Sequence, residues 1–133
     1  MGSLKTIRHL SVLAALSLLS AQPLAAQSDT PDLQLKFFAG CAGRLSAKME
    51  HQWMFDGPGS ESTEKRRNTV VEILEAMIPP DQGRTVLAWR IEAKMAHSAL
   101  LARAAFSLDK KEADWAFRTA QRMTSECESF LLS

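Results

Sequence analysis

Apolar positions along the chain fall into one unbroken run followed by four stripes of helical period. The run is Leu10–Leu19 (LSVLAALSLL), preceded by Lys5, Arg8 and His9 and followed by Ser20-Ala21-Gln22-Pro23 and the small residues Leu24-Ala25-Ala26. A basic patch, a short apolar segment and a small-residue site, in that order, make a secretory signal peptide over residues 1–26, cleaved after Ala26. The run is too short for a spanning helix, which takes about 20 apolar residues. Residues 27–133 are then expected as one domain with one modest core.

Within that domain the first stripe is Phe38, Cys41, Leu45, Met49 and Trp53, stepping by three or four. It predicts a helix from Pro31 to Phe55, with Thr30 as cap and Pro31 at the first helical position. Asp56-Gly57-Pro58-Gly59-Ser60 reads as the break after it. Val70, Leu74, Met77 and Ile78 predict a second helix from Thr63, capped by Ser62, to Ile78, stopped by Pro79-Pro80. A third, Gln82 to Phe106, is capped by Asp81 and turns Leu87, Ile91, Met95, Ser98, Ala102 and Ala105 inward. The fourth runs from Lys110 to Leu131, with Asp109 and Glu112 as a capping box and Ala113, Ala116, Phe117, Ala120, Met123, Cys127 and Phe130 inward. No segment alternates as a half-buried strand does. The expected fold is all-α: an up-down four-helix bundle.

The two cysteines tighten that expectation. An exported domain sits in an oxidising space, where Cys41 and Cys127 read as a disulfide. In an up-down bundle the first and fourth helices lie side by side, antiparallel. Cys41 then sits ~21 Å below the end of the first helix and Cys127 ~25 Å below the start of the fourth, at ~1.5 Å per residue. The two depths agree well enough for one bond to close the bundle.

An internal similarity adds a second layer. Ala42-Gly43-Arg44-Leu45-Ser46-Ala47-Lys48-Met49-Glu50-His51 aligns with Ala88-Trp89-Arg90-Ile91-Glu92-Ala93-Lys94-Met95-Ala96-His97 at a constant offset of 46. Such an offset suggests two pseudo-repeated helical hairpins, each too small to bury its apolar face alone.

Charge narrows the partners. The whole chain carries 16 Lys+Arg against 15 Asp+Glu. Loss of Lys5 and Arg8 with the signal turns the net charge from +1 to −1. A nucleic-acid binder shows a strong basic excess, so nucleic acid is not expected. Nor is a stable membrane span after signal cleavage. Another periplasmic protein, or an anionic surface, fits better.

Chemistry is sparse. Nucleophile elbows, zinc-binding helix motifs, P-loops, dinucleotide fingerprints and haem attachment sites are all missing, so neither catalysis nor a cofactor is expected. Three classes of function follow. The leading one is a small non-enzymatic periplasmic or secreted protein-binding or accessory factor. Its candidate interaction surfaces are two ribbons of i, i+4, i+7 spacing, Arg44, Lys48, His51 and Arg90, Lys94, His97, which also read as solvated faces with snorkelling stems, and its candidate interface aromatics are Trp89 and Trp115, which also read as boundary packing. The second is a copper-like metal or small-ligand carrier using Met49, His51, Met95 and His97, although residues two apart on a helix point away from each other. The third is a periplasmic chaperone that opens in acid through its histidines and carboxylates.

Overall fold

The computed structural model describes residues 29–131. The signal peptide expected over residues 1–26 lies outside the described residues. Four helices follow one another, α1 (Asp29–Phe55), α2 (Gly57–Met77), α3 (Gly83–Phe106) and α4 (Lys110–Ser129), and no strand occurs among the described residues. They pack into an all-α four-helix bundle. No helix among the described residues is long and apolar enough to cross a membrane.

The bundle is organised around its first helix. Leu35, Ala39, Cys41, Ala42, Leu45, Ala47 and Met49 of α1 are all buried, more than one stripe can account for. The reason is that α1 is covered from several sides: α2 and α3 pack along it, and α4 lies on α3 and reaches α1 with its C-terminal half. α2 runs antiparallel to α1, with Thr63 donating to Gln52 at 2.7 Å and Arg67 donating to Ser46 at 3.2 Å. α3 runs parallel to α1, from the Lys36–Trp89 level to the Phe55–Phe106 level. Leu45 and Leu74, fully buried in one cluster with Leu35, Val70, Val86 and both cysteines, form its centre. Each such leucine contributes about 1.5–3 kcal/mol of transfer free energy.

Close approach of α1 and α3 depends on Gly43. A Cβ there would fall on the Arg90 carbonyl oxygen, and within 2.9 Å of the Lys94 nitrogen and 3.1 Å of the Ala93 Cβ. Two helix backbones meet at that point, and only a residue without a side chain fits. In a square up-down bundle these two helices would face each other across a diagonal; here the diagonal is short. Each window of the internal similarity therefore lies beside the other, with Lys94 bonded to Glu50 at 2.6 Å. Matched positions do not share packing roles: Leu45 and Met49 are buried, whereas Ile91 and Met95 are exposed.

The expected disulfide is present. Cys41 and Cys127 are joined, with Cα atoms 5.4 Å apart and a sequence separation of 86. Next to it Phe37, Phe38 and Phe130 cluster, with ring centroids 4.8–6.0 Å apart.

Several expectations need correcting. Asp81 does not cap α3, whose N-cap is Gln82 with no side-chain bond, and Phe117 and Phe130 of α4, expected inward, are 52% and 57% exposed. The break after α1 is a single residue, and α2 starts at Gly57 rather than Thr63. Pro58 sits in the first helical turn, where its missing N–H is no loss, and the Asp56 carboxylate accepts from the Gly59 nitrogen at 3.0 Å. α3 is rotated from the expected phase by about one residue, or ~100°. Val86 and His97 are its buried residues, while Leu87, Ile91 and Met95 are 54%, 53% and 64% exposed. Apolar residues occupy two adjacent rows of this helix. The row holding Ala93 wins the α1 contact because Gly43 brings the backbones too close for large side chains. Trp53, placed on the inward stripe of α1 by its spacing, is 63% exposed beyond the reach of the core.

Candidate functional site

The two basic ribbons do not share a face. Lys48 and His51 of α1 turn toward α3 and α4. Arg90 and Lys94 of α3 turn the other way, toward α2. His97, spaced to complete the second ribbon, is 2% exposed and joins the residues of the first. This sorting creates two concave sites on opposite sides of the α1–α3 pair.

The first is a cavity of about 440 Å³ between α1, α3 and α4, within the range of small-molecule pockets. α1 contributes Lys48, His51 and Gln52, and the α2 cap contributes Asp56; α3 contributes His97 and Leu101; α4 contributes Phe117, Ala120, Gln121 and Thr124. Most polar groups there already have partners. Lys48 donates to Glu128 at 3.1 Å, Asp56 caps α2, and the Thr124 hydroxyl is tied to the Ala120 and Gln121 carbonyls at 3.1 and 3.0 Å. His51 leans on the Phe55 ring, centroids 4.7 Å apart.

His97 is the fully buried one without a partner. Neither Nδ1 nor Nε2 has a hydrogen-bond partner among the described residues. Burial, followed by the positive field of Arg44, Lys48 and His51, lowers its pKa from 6.5 to about 4. It is therefore a neutral imidazole at pH 7, offering one N–H donor and one bare nitrogen.

The second site is a groove of about 230 Å³ in the open sector between α2 and α3, which have next to no packing against each other. Met49, Leu87 and Ile91 supply its apolar surface, and Arg67, Arg90, Lys94 and Glu50 its charge. Lys94 and Glu50 satisfy each other. Arg67 is bonded only to neutral oxygens, Ser46 Oγ and Asn68 Oδ1, and neither Arg67 nor Arg90 has a carboxylate partner among the described residues. Met95 extends the apolar row along the outer surface of α3.

The remaining candidates disperse. Trp89 is half-buried against the core, with Lys36 Nζ 5.7 Å from its ring centroid, and shares a shallow depression with Arg44. Trp115 is half-exposed on α4. Met49, His51, Met95 and His97 do not converge: the methionines belong to the groove side and the outer face of α3, the histidines to the cavity. No group of three or more His, Cys, Asp or Glu side chains is placed to hold a metal ion among the described residues.

Sequence spacing did not bring the cavity into view, because helix phase and the parallel course of α1 and α3 decide it. One usable signal was present. His51 and His97 stand at the 46-residue offset, and two parallel helices in contact bring such a pair to similar heights. Comparison of the chain with protein-family models, with curated proteins and with solved structures gives no match.

Proposed function

We propose that this chain is an exported, non-enzymatic binding protein that seats an acidic, amphipathic segment of a partner protein in the groove between α2 and α3. One observation carries the reading: two guanidinium groups without carboxylate partners among the described residues, Arg67 and Arg90, flank an exposed apolar row, Leu87 and Ile91. Exposed apolar rows bordered by charge mark interaction surfaces. Arginine beside apolar side chains is the composition that interfaces enrich. The partner must bring apolar residues at helical spacing to meet the row and carboxylates to meet the arginines, so its chemistry is set by complementarity. A disulfide between far-separated cysteines supports export, since such bonds persist in oxidising compartments. Absence of catalytic motifs from the sequence supports the non-enzymatic part.

A photo-reactive residue at position 91, in the full chain expressed in its own cells, tests this. It should cross-link to a protein through a peptide rich in Asp or Glu. The cross-link should vanish in the Arg67→Glu, Arg90→Glu double variant and weaken with added salt, as screened charges do. A cross-link that survives both charge reversals, or one made only to a second copy of this chain, removes the proposal.

A further inference from the structure

We propose that the cavity between α1, α3 and α4 binds a small amphipathic monocarboxylate, its head group against His97 and its hydrocarbon body along Leu101, Phe117 and Ala120. This is a different site from the groove, on the opposite side of the α1–α3 pair, and it does not depend on what the groove holds.

His97 is the first argument. A buried polar group without a partner forfeits the hydrogen bonds it had with water. Leucine would fill similar space without that cost. An imidazole placed there, 2% exposed and lining a cavity, is a hydrogen-bonding group held ready for something that enters. Its neutral form offers an N–H donor, which a carboxylate oxygen accepts.

Charge selects the head group. The groups that act on His97 are all cationic or weakly basic: Arg44, Lys48 and His51, each on α1. From α4 the cavity is lined by Phe117, Ala120, Gln121 and Thr124, none of them charged, and α3 adds no charged lining residue. Glu128 of α4 takes up part of the Lys48 charge through its 3.1 Å contact. The Arg44 guanidinium, folded back over Gly40, lines the neighbouring depression beside Trp89 and acts on this cavity only through its field, so Lys48 is the lining cation an entering anion meets. An anion therefore enters a field that favours it, and its arrival offsets the field that holds His97 neutral.

The rest of the wall selects the body. Leu101, Ala104, Ala105, Phe117 and Ala120 give an apolar surface with no polar demand. Asp56, eight residues beyond Lys48 and the N-cap of α2, also lines the cavity. Its carboxylate repels a second negative group on the ligand, so a monocarboxylate is preferred to a dicarboxylate. Metal is the competing occupant. Two imidazoles without a third protein ligand make a poor site, and the apolar wall serves no ion.

Octanoate is the probe, with 1-octanol, octanedioate and zinc as comparators, titrated into the disulfide-bonded protein. Calorimetry and amide NMR give the readout. Octanoate should saturate and shift Leu101, Phe117, Ala120 and the His97 ring, and octanol and octanedioate should each bind at least tenfold more weakly. His97→Leu should weaken octanoate at least tenfold. Ala105→Trp, at the exposed rim, should block the cavity in a folded protein and carries the test should the first variant fail to fold. The proposal is overturned by non-saturable octanoate, by octanol binding as tightly, by shifts on another face, by octanoate binding unaltered in both variants, or by zinc alone moving the two histidines.

Discussion

Acid should weaken this fold through one residue. His97 has its pKa lowered to about 4 by burial, with Arg44, Lys48 and His51 adding repulsion, against 6.5 for an ordinary histidine. Between those values the unfolded chain takes up the proton and the folded chain does not, so stability falls as pH falls. Above pH 6.5 both states are neutral at this site and nothing is lost. Below about pH 4 both are protonated and the loss is complete. A difference of about 2.5 units at 1.36 kcal/mol each gives about 3 kcal/mol. For a domain of this size that is roughly 15 °C in thermal midpoint. Urea unfolding of the disulfide-bonded protein at pH 7.0, 5.5 and 4.0 measures it, with His97→Leu as the comparison. The variant should be at least as stable as the wild type at pH 7, since it strands no buried nitrogens, and should lose about 3 kcal/mol less on the way to pH 4. Carboxylates common to both proteins cancel in that difference. Parallel pH dependences in the two proteins would refute the assignment of His97 as the acid-sensitive group. The same experiment bears on the acid-opening class of function, because weakening between pH 6.5 and 4 is the first requirement of a protein that opens in acid.

Two further outcomes follow from packing. Reduction of the Cys41–Cys127 bond frees a loop of 86 residues, worth about 4.5 kcal/mol in the chain-entropy treatment. Calorimetry with and without reductant should show a midpoint drop of roughly 20 °C, and a drop of only a few degrees would show that the reduced chain keeps its ends together by other means. Gly43→Ala should destabilise by about 1–2 kcal/mol despite a better helix former, because overpacking of about 1–3 kcal/mol outweighs a propensity gain of up to about 1. Gly57→Ala meets nothing within 4 Å and should be neutral or slightly stabilising; equal effects in denaturant melts would discount the α1–α3 contact.

Helix positions were legible wherever local chemistry fixed them. The start of α4 at Lys110 follows from Asp109, whose carboxylate accepts from Lys111 and Glu112 at 2.8 and 3.3 Å. The reciprocal half of the capping box does not form, since Glu112 turns to Ser107 Oγ at 3.1 Å instead. The disulfide was legible because two counts of residues along antiparallel helices gave similar depths. Gly57-Pro58-Gly59 misled because residues that break a helix interior are tolerated in its first turn. The phase of α3 was not legible: two apolar rows compete, and a glycine on another helix decides between them. The cavity depends on that phase and was hidden with it. Gly43, a glycine inside a strong helical pattern, was the sign of close backbone approach that the stripe counts passed over.

The lopsided packing of α2 has a consequence for how the molecule breathes. α2 rests on α1 and almost nothing else, apart from the Arg66–Glu128 ion pair. The covalent bond joins α1 to α4 and bypasses it. Peeling α2 away leaves the other three rods stapled together, so its amides should exchange with deuterium well before those of α1, giving the domain a quick tier and a slow one. In such an opening one wall of the groove swings out, so a partner held there would clamp a helix that the covalent bond does not hold.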